Sequence, residues 1–108
     1  MVPGLYQAEF ATPLGEGYGV VKIGGGRIQG GDSDYWYSGG FMSEAGQIDS
    51  RIRVKQHNPF GTSVFGPIRE FMLNLVGSDG RTSAYLRGTT PQMGGVTISI
   101  KLKLLEED

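Results

Sequence analysis

The chain has 108 residues, a formal net charge of −1, 19 glycines, five prolines, one histidine, one tryptophan and no cysteine. Without cysteine there is no disulfide framework, thiolate zinc site or cysteine nucleophile, and a single histidine excludes a multi-imidazole metal site within one chain. The near-neutral charge argues against nucleic acid as the main partner, no apolar run approaches the ~18 residues of a membrane span, and Met1-Val2-Pro3-Gly4 lacks the basic and apolar regions of a signal peptide.

The expectation is therefore one soluble, cytoplasmic domain over residues 1–108, with no cofactor, and its dominant period is two. Leu5 to Thr12 puts Tyr6, Ala8 and Phe10 on one face. Gly17 to Ile23 runs into Gly24-Gly25-Gly26, and Arg27 to Gly30 returns from it, which reads as a hairpin with a permissive turn. Tyr35 to Ser43 follows, then a turn at Glu44-Ala45-Gly46. In the next strand Ile48, Ser50, Ile52, Val54 and Gln56 share one face, while Asp49, Arg51, Arg53, Lys55 and His57 share the other. Such alternation is what a half-buried strand requires. Phe71 to Val76 and Ser83 to Arg87 flank Ser78-Asp79-Gly80-Arg81, where Asp-Gly predicts a type I′ hairpin with positive φ at both central residues. Pro91 to Gly95 breaks the chain before the last strand, in which Val96, Ile98, Ile100, Leu102 and Leu104 oppose Thr97, Ser99, Lys101 and Lys103.

Eight strands with short turns predict an all-β, eight-stranded antiparallel up-and-down barrel. Asn58 to Glu70 is longer than a hairpin needs. It reads as a crossing connection with one short helix at Ser63 to Phe65, or as a flap over one end of the barrel. Gly15, Gly17 and Gly19 alternate, so one face of their strand carries no side chains.

The chemistry-bearing motifs are incomplete. A dinucleotide fingerprint over Gly15 and Gly17 has Val20 where its third glycine belongs, no Gly-Lys pair exists, and a strand follows where a phosphate site needs a helix. Gly31-Asp32-Ser33 resembles the start of an esterase block, but Val54 stands three residues before His57 where that block needs an aspartate. Asp32 and Asp34 lead to Trp36, not to a third cation ligand. The expected role of Asp32 and Ser33 is to bond nearby backbone N–H groups and shape a turn. His57 reads as a surface histidine, and Glu9, Glu16 and Asp32 have no spacing that favours a catalytic pair. No enzymatic activity is expected, and no metal site.

Two surface features remain. Arg51, Arg53 and Lys55, with Lys101 and Lys103, form a basic stripe if their strands are neighbours, a face for single-stranded nucleic acid or simply a solvated sheet. Tyr35 and Tyr37 point opposite to Trp36; core packing of all three is the favoured reading, and an exposed aromatic group at an interface is the alternative.

Gly4-Leu5-Tyr6 opening a strand, Gly15-Glu16-Gly17 through Gly30-Gly31-Asp32, and Tyr37-x-Gly39 through Ser43-Glu44 together resemble the GrlR family, small bacterial negative regulators of type III secretion. The resemblance runs over residues 4 to about 57 and thins beyond. It implies a calycin-like (lipocalin-like) barrel with one short helix, a homodimer, and regulation of transcription by binding an activator protein. Family members carry an acidic run after the fourth strand; here Ser43-Glu44-Ala45-Gly46-Gln47 retains only Glu44. The expected function is a non-enzymatic protein-interaction module with Tyr35, Trp36, Tyr37, Phe41 and Glu44 as partner-binding candidates. A carrier of a small apolar ligand inside the barrel and weak nucleic-acid binding through the basic face are the alternatives.

Overall fold

The computed structural model describes residues 1–59, 68–92, 94 and 96–108. Its strands are β1 (Gly4–Thr12), β2 (Gly15–Gly24), β3 (Arg27–Gly31), β4 (Tyr35–Glu44), β5 (Gln47–Gln56), β6 (Glu70–Asp79), β7 (Ser83–Thr89) and β8 (Ile98–Glu107). Each strand pairs antiparallel with the next and β8 pairs with β1, giving a closed eight-stranded barrel in meander order. Closure pairs the first strand with the last and so removes the two outer edges of the sheet. Ser63 to Phe65, the expected short helix, lie outside the described residues, and no helix occurs among those described. Accordingly, among the described residues no helix is long and apolar enough to cross a membrane.

The period-two pattern of the sequence becomes the inside and outside of the wall. Tyr6, Ala8 and Phe10 of β1, Ile52 and Val54 of β5, Leu73 and Leu75 of β6 and Ile98, Ile100 and Leu102 of β8 are all buried. Between them the interior retains a cavity of only about 10 Å³, lined by apolar residues from Ala8 to Leu102 together with the Tyr37 ring. That is about the space of one water molecule, and such lining stays dry.

The bare face of β2 points inward, and aromatic rings occupy the room it leaves. Phe10 lies opposite Gly17, and its ring centroid is 5.0 Å from that of Tyr37. A Cβ on Gly19 would come within 3.3 Å of Tyr37 Cε2. Elsewhere glycine allows the wall to bend. A Cβ at Gly88 would stand 1.8 Å from the Asn74 carbonyl oxygen of the neighbouring strand, so no other residue fits there without moving backbone.

The turns follow the sequence in two places and depart from it in a third. Gly25 and Gly26 take φ of 59° and 74°, and Ala45 and Gly46 take 53° and 78°, as two-residue hairpins of type I′ require. The Asp79-Gly80 turn expected to match them does not. Four residues, Gly80 to Ser83, separate the Asp79–Ala84 pair, and positive φ (71°) falls on Arg81 instead. Glycine at 80 answers a different need: a Cβ there would lie 2.6 Å from the Ser83 carbonyl oxygen, to which its N–H donates at 2.9 Å.

Candidate functional site

Of the five partner-binding candidates, the barrel separates three from two. Tyr35, Tyr37 and Phe41 share the inward register of β4 and are buried. They belong to the core and are unavailable as docking anchors, a correction to the sequence-based assignment. Trp36, expected in the core with its two neighbours, instead faces solvent with 45% of its surface exposed. The reason is parity: with Tyr35 and Tyr37 committed to the interior, the residue between them must point outward. Glu44 is exposed at the end of β4.

The basic residues are also split. Arg51, Arg53 and Lys55 project from β5, but β6 and β7 lie between β5 and β8, so the expected single stripe does not form. On β8, Lys101 sits between Glu9 and Tyr85, and Lys103 sits between Gln7 and Ser83. That surface is mixed in character.

Around Trp36 the register assembles a different group. Across β3, β4, β5 and β6, one outward row reads Gly31, Trp36, Lys55, Glu70; the next reads Gln29, Ser38, Arg53, Met72; the third reads Arg27, Gly40, Arg51, Asn74. Small residues therefore floor the middle of the face, with Arg27 on one side and Arg51 and Arg53 on the other. A Cβ built at Gly40 meets nothing within 4 Å. Arg27 Nη2 donates to Ser38 Oγ at 3.0 Å, which lays this side chain along β4. Arg53 Nε lies 3.5 Å from Glu70 Oε1 in an exposed pair. Among the described residues no ion pair involves Arg27, Arg51 or Lys55.

From the sequence, Arg27, Ser38 and Gly40 have no expected binding role, and Gly40 counts only as a glycine inside a strand, a mark of a bend or a close backbone approach. A signal existed: a two-residue turn at Ala45-Gly46 sets the β4–β5 register and so places Gly40 beside Arg51. The β3–β4 register has no such signature, because it depends on the geometry of the Asp32–Asp34 loop.

That loop is held by a polar clasp at one end of the barrel. Asp32 Oδ1 accepts the backbone N–H groups of Asp34 at 2.8 Å and Tyr35 at 2.7 Å, the turn-shaping role expected of it. Its other oxygen accepts the Tyr37 hydroxyl. Burial, reinforced by this bond to a carboxylate, pushes the Tyr37 hydroxyl well above the ordinary phenol range. His57 Nε2 lies 2.9 Å from the Asp32 carbonyl oxygen. The backbone N–H of His57 donates to the Asp34 carbonyl at 2.8 Å, and Asn58 Nδ2 reaches Asp34 Oδ1 at 3.2 Å. The carboxylates here bind their own loop and the start of the next connection. No group of three or more metal-ligating side chains occurs among the described residues.

At the other end, the Met1 ammonium donates to Asp79 Oδ2 at 2.6 Å. Ser43 Oγ donates to the same oxygen, and the Arg81 N–H donates to Oδ1 at 2.7 Å. Burial raises the Asp79 carboxyl, but these donors outweigh it and hold the group down at about 2. Tyr6 closes the same end, its hydroxyl donating toward the carbonyls of Val2 and Arg81.

No protein-family model matches the chain, and no curated protein matches it in sequence.

Proposed function

We propose that this protein is a non-enzymatic interaction module, a barrel whose outer wall binds another protein. The reading rests on one contrast: the apolar cavity inside the barrel, among the described residues, holds only about 10 Å³, whereas the single tryptophan stands on the outer wall. Small-molecule pockets occupy roughly 300–1,000 Å³, so the filled interior counts against a carrier of small apolar ligands. Tryptophan is enriched among the residues that dominate interface energetics. Trp36 is flanked by Gly31 on β3, which has no side chain, and by Lys55 on β5.

The resemblance to the GrlR family supports a more specific form of this reading. The partner is a transcriptional activator, and binding occludes it. Of the family's acidic contact only Glu44 is retained, so recognition in this chain centres on Trp36. The same resemblance supports a homodimer, which light scattering reads as twice the chain mass of 11.6 kDa.

The test is capture from cells of the source organism with the tagged protein and its Trp36→Ala variant, compared by quantitative mass spectrometry. A transcriptional activator held by the parent and lost from the variant supports the reading. Equal recovery by both removes Trp36 from the interface, and recovery of no activator removes the regulatory role.

A further inference from the structure

We infer that the outward face of β3, β4 and β5 recognises an extended, acidic segment of a protein partner, with side chains framing a trough floored by Ser38 and Gly40. This rests on the interaction-module reading and adds to it the chemistry of the partner. Arg27 on β3 and Arg51, Arg53 and Lys55 on β5 frame the trough from either side of β4, and among the described residues only Arg53 is engaged by a carboxylate, at an exposed 3.5 Å contact. Neighbouring strands lie about 4.8 Å apart, so Arg27 and Arg51 stand roughly 10 Å apart across Gly40. That is wide enough to admit a single extended chain between them.

The spacing along the strand points the same way. Arg51, Arg53 and Lys55 alternate with inward residues, so their side chains repeat every ~6.8 Å. Alternate residues of an extended peptide repeat at the same interval. A segment with acidic residues at every second position therefore meets the cations in register, and Trp36 at the end of the row supplies an apolar stop. A Cβ built at Gly40 meets nothing within 4 Å, so a visiting backbone can approach β4 there.

Nucleic acid fits less well. The cationic row spans only Arg51 to Lys55, about 13 Å, and next in the same outward register comes Asp49, with Glu44 beyond it on β4. A phosphate backbone tracking this face runs into those carboxylates, whereas a short acidic peptide ends before them.

The experiment measures fluorescence anisotropy of a labelled (Glu-Thr)3 peptide with the full chain, its first and last glutamates about 13 Å apart when extended, beside (Lys-Thr)3 and the oligonucleotide dT8. The acidic peptide should bind, lose affinity as salt rises from about 50 to 300 mM, and bind at least fivefold more weakly to the Arg27→Gln/Arg51→Gln double variant. Gly40→Val should weaken it similarly while melting no lower than the parent, since its side chain enters open space. The inference is overturned if the acidic peptide does not bind at low salt, if dT8 binds as tightly, or if both variants bind as the parent does. The two readings fail separately. Trp36-dependent capture of a partner that Gly40→Val leaves intact sinks the acidic trough alone. Peptide binding without any captured partner sinks the regulatory reading alone.

Discussion

Two glycines on the barrel wall should respond in opposite directions to the same substitution. At Gly88, an alanine Cβ would lie 1.8 Å from the Asn74 carbonyl oxygen, 2.7 Å from its carbon and 3.0 Å from Leu75 Cα. All three are backbone atoms, so no rotamer change relieves the clash. The β6–β7 ladder has to part at Leu75–Gly88 and Asn74–Thr89. Overpacking of this kind costs about 1–3 kcal/mol, and one weakened ladder hydrogen bond adds about 1 kcal/mol. Gly88→Ala should therefore destabilise by about 2–4 kcal/mol, or roughly 10–20 °C in Tm for a chain of this size. At Gly40 the same Cβ meets nothing within 4 Å and φ is not in the left-handed region. There alanine restricts only the unfolded chain, a gain of about 0.4–1 kcal/mol. Urea titrations followed by circular dichroism, run on both variants beside the parent, measure the pair. A Gly88→Ala protein within about 0.5 kcal/mol of the parent would refute the close strand approach, and a destabilised Gly40→Ala protein would refute the open floor.

Three other outcomes follow from the ends and the face of the barrel. Asp79 titrates at about 2 when folded against 3.8 ordinarily; a depressed carboxyl contributes stability above its unfolded pKa, so the urea midpoint should fall between pH 4 and 2, and Asp79→Asn should flatten that fall. Tyr37 is raised instead, so its contribution is complete below pH 10 and lost above it, where the unfolded phenol ionises first. Tyr37→Phe should cost about 1–3 kcal/mol at neutral pH, because Asp32 Oδ2 loses its donor, and should lessen the alkaline decline; an unchanged midpoint at both pH values contradicts the clasp. Trp36 is the only tryptophan and is half exposed, so native emission should be quenched by acrylamide nearly as well as in the unfolded chain, and Trp36→Ala should cost about 1 kcal/mol or less. A blue-shifted, protected emission would mean the ring is buried.

The strands were legible because period two survives across nearly the whole chain, most clearly at Ile48 to Gln56 and Val96 to Leu104. Where glycine and serine dilute the pattern, the faces were not. On β4 both registers contain apolar residues, Tyr35, Tyr37 and Phe41 inward against Trp36 and Met42 outward, and nothing in that strand alone says which side is the core. Parity does tie Phe41 to Tyr35 and Tyr37, so the three buried candidates stand or fall together. The turn at Asp79-Gly80 misled for a tertiary reason. Asp79 is engaged by Met1 and Ser43, residues far from it in sequence, and that contact accompanies a longer loop than Asp-Gly suggests. The trough at Gly40 needed β3, β4 and β5 in register at once. One of those two registers passes through a loop whose shape depends on the Asp32 side chain.

The most direct test of an outer binding face compares two positions of equal exposure on different sides of the barrel. Trp36 on β4 is 45% exposed and Tyr85 on β7 is 46% exposed. A photo-crosslinking side chain introduced at each, and irradiated in cells of the source organism, should join position 36 but not position 85 to one protein partner. No adduct from position 36, or the same adducts from both positions, would contradict a binding face centred on Trp36.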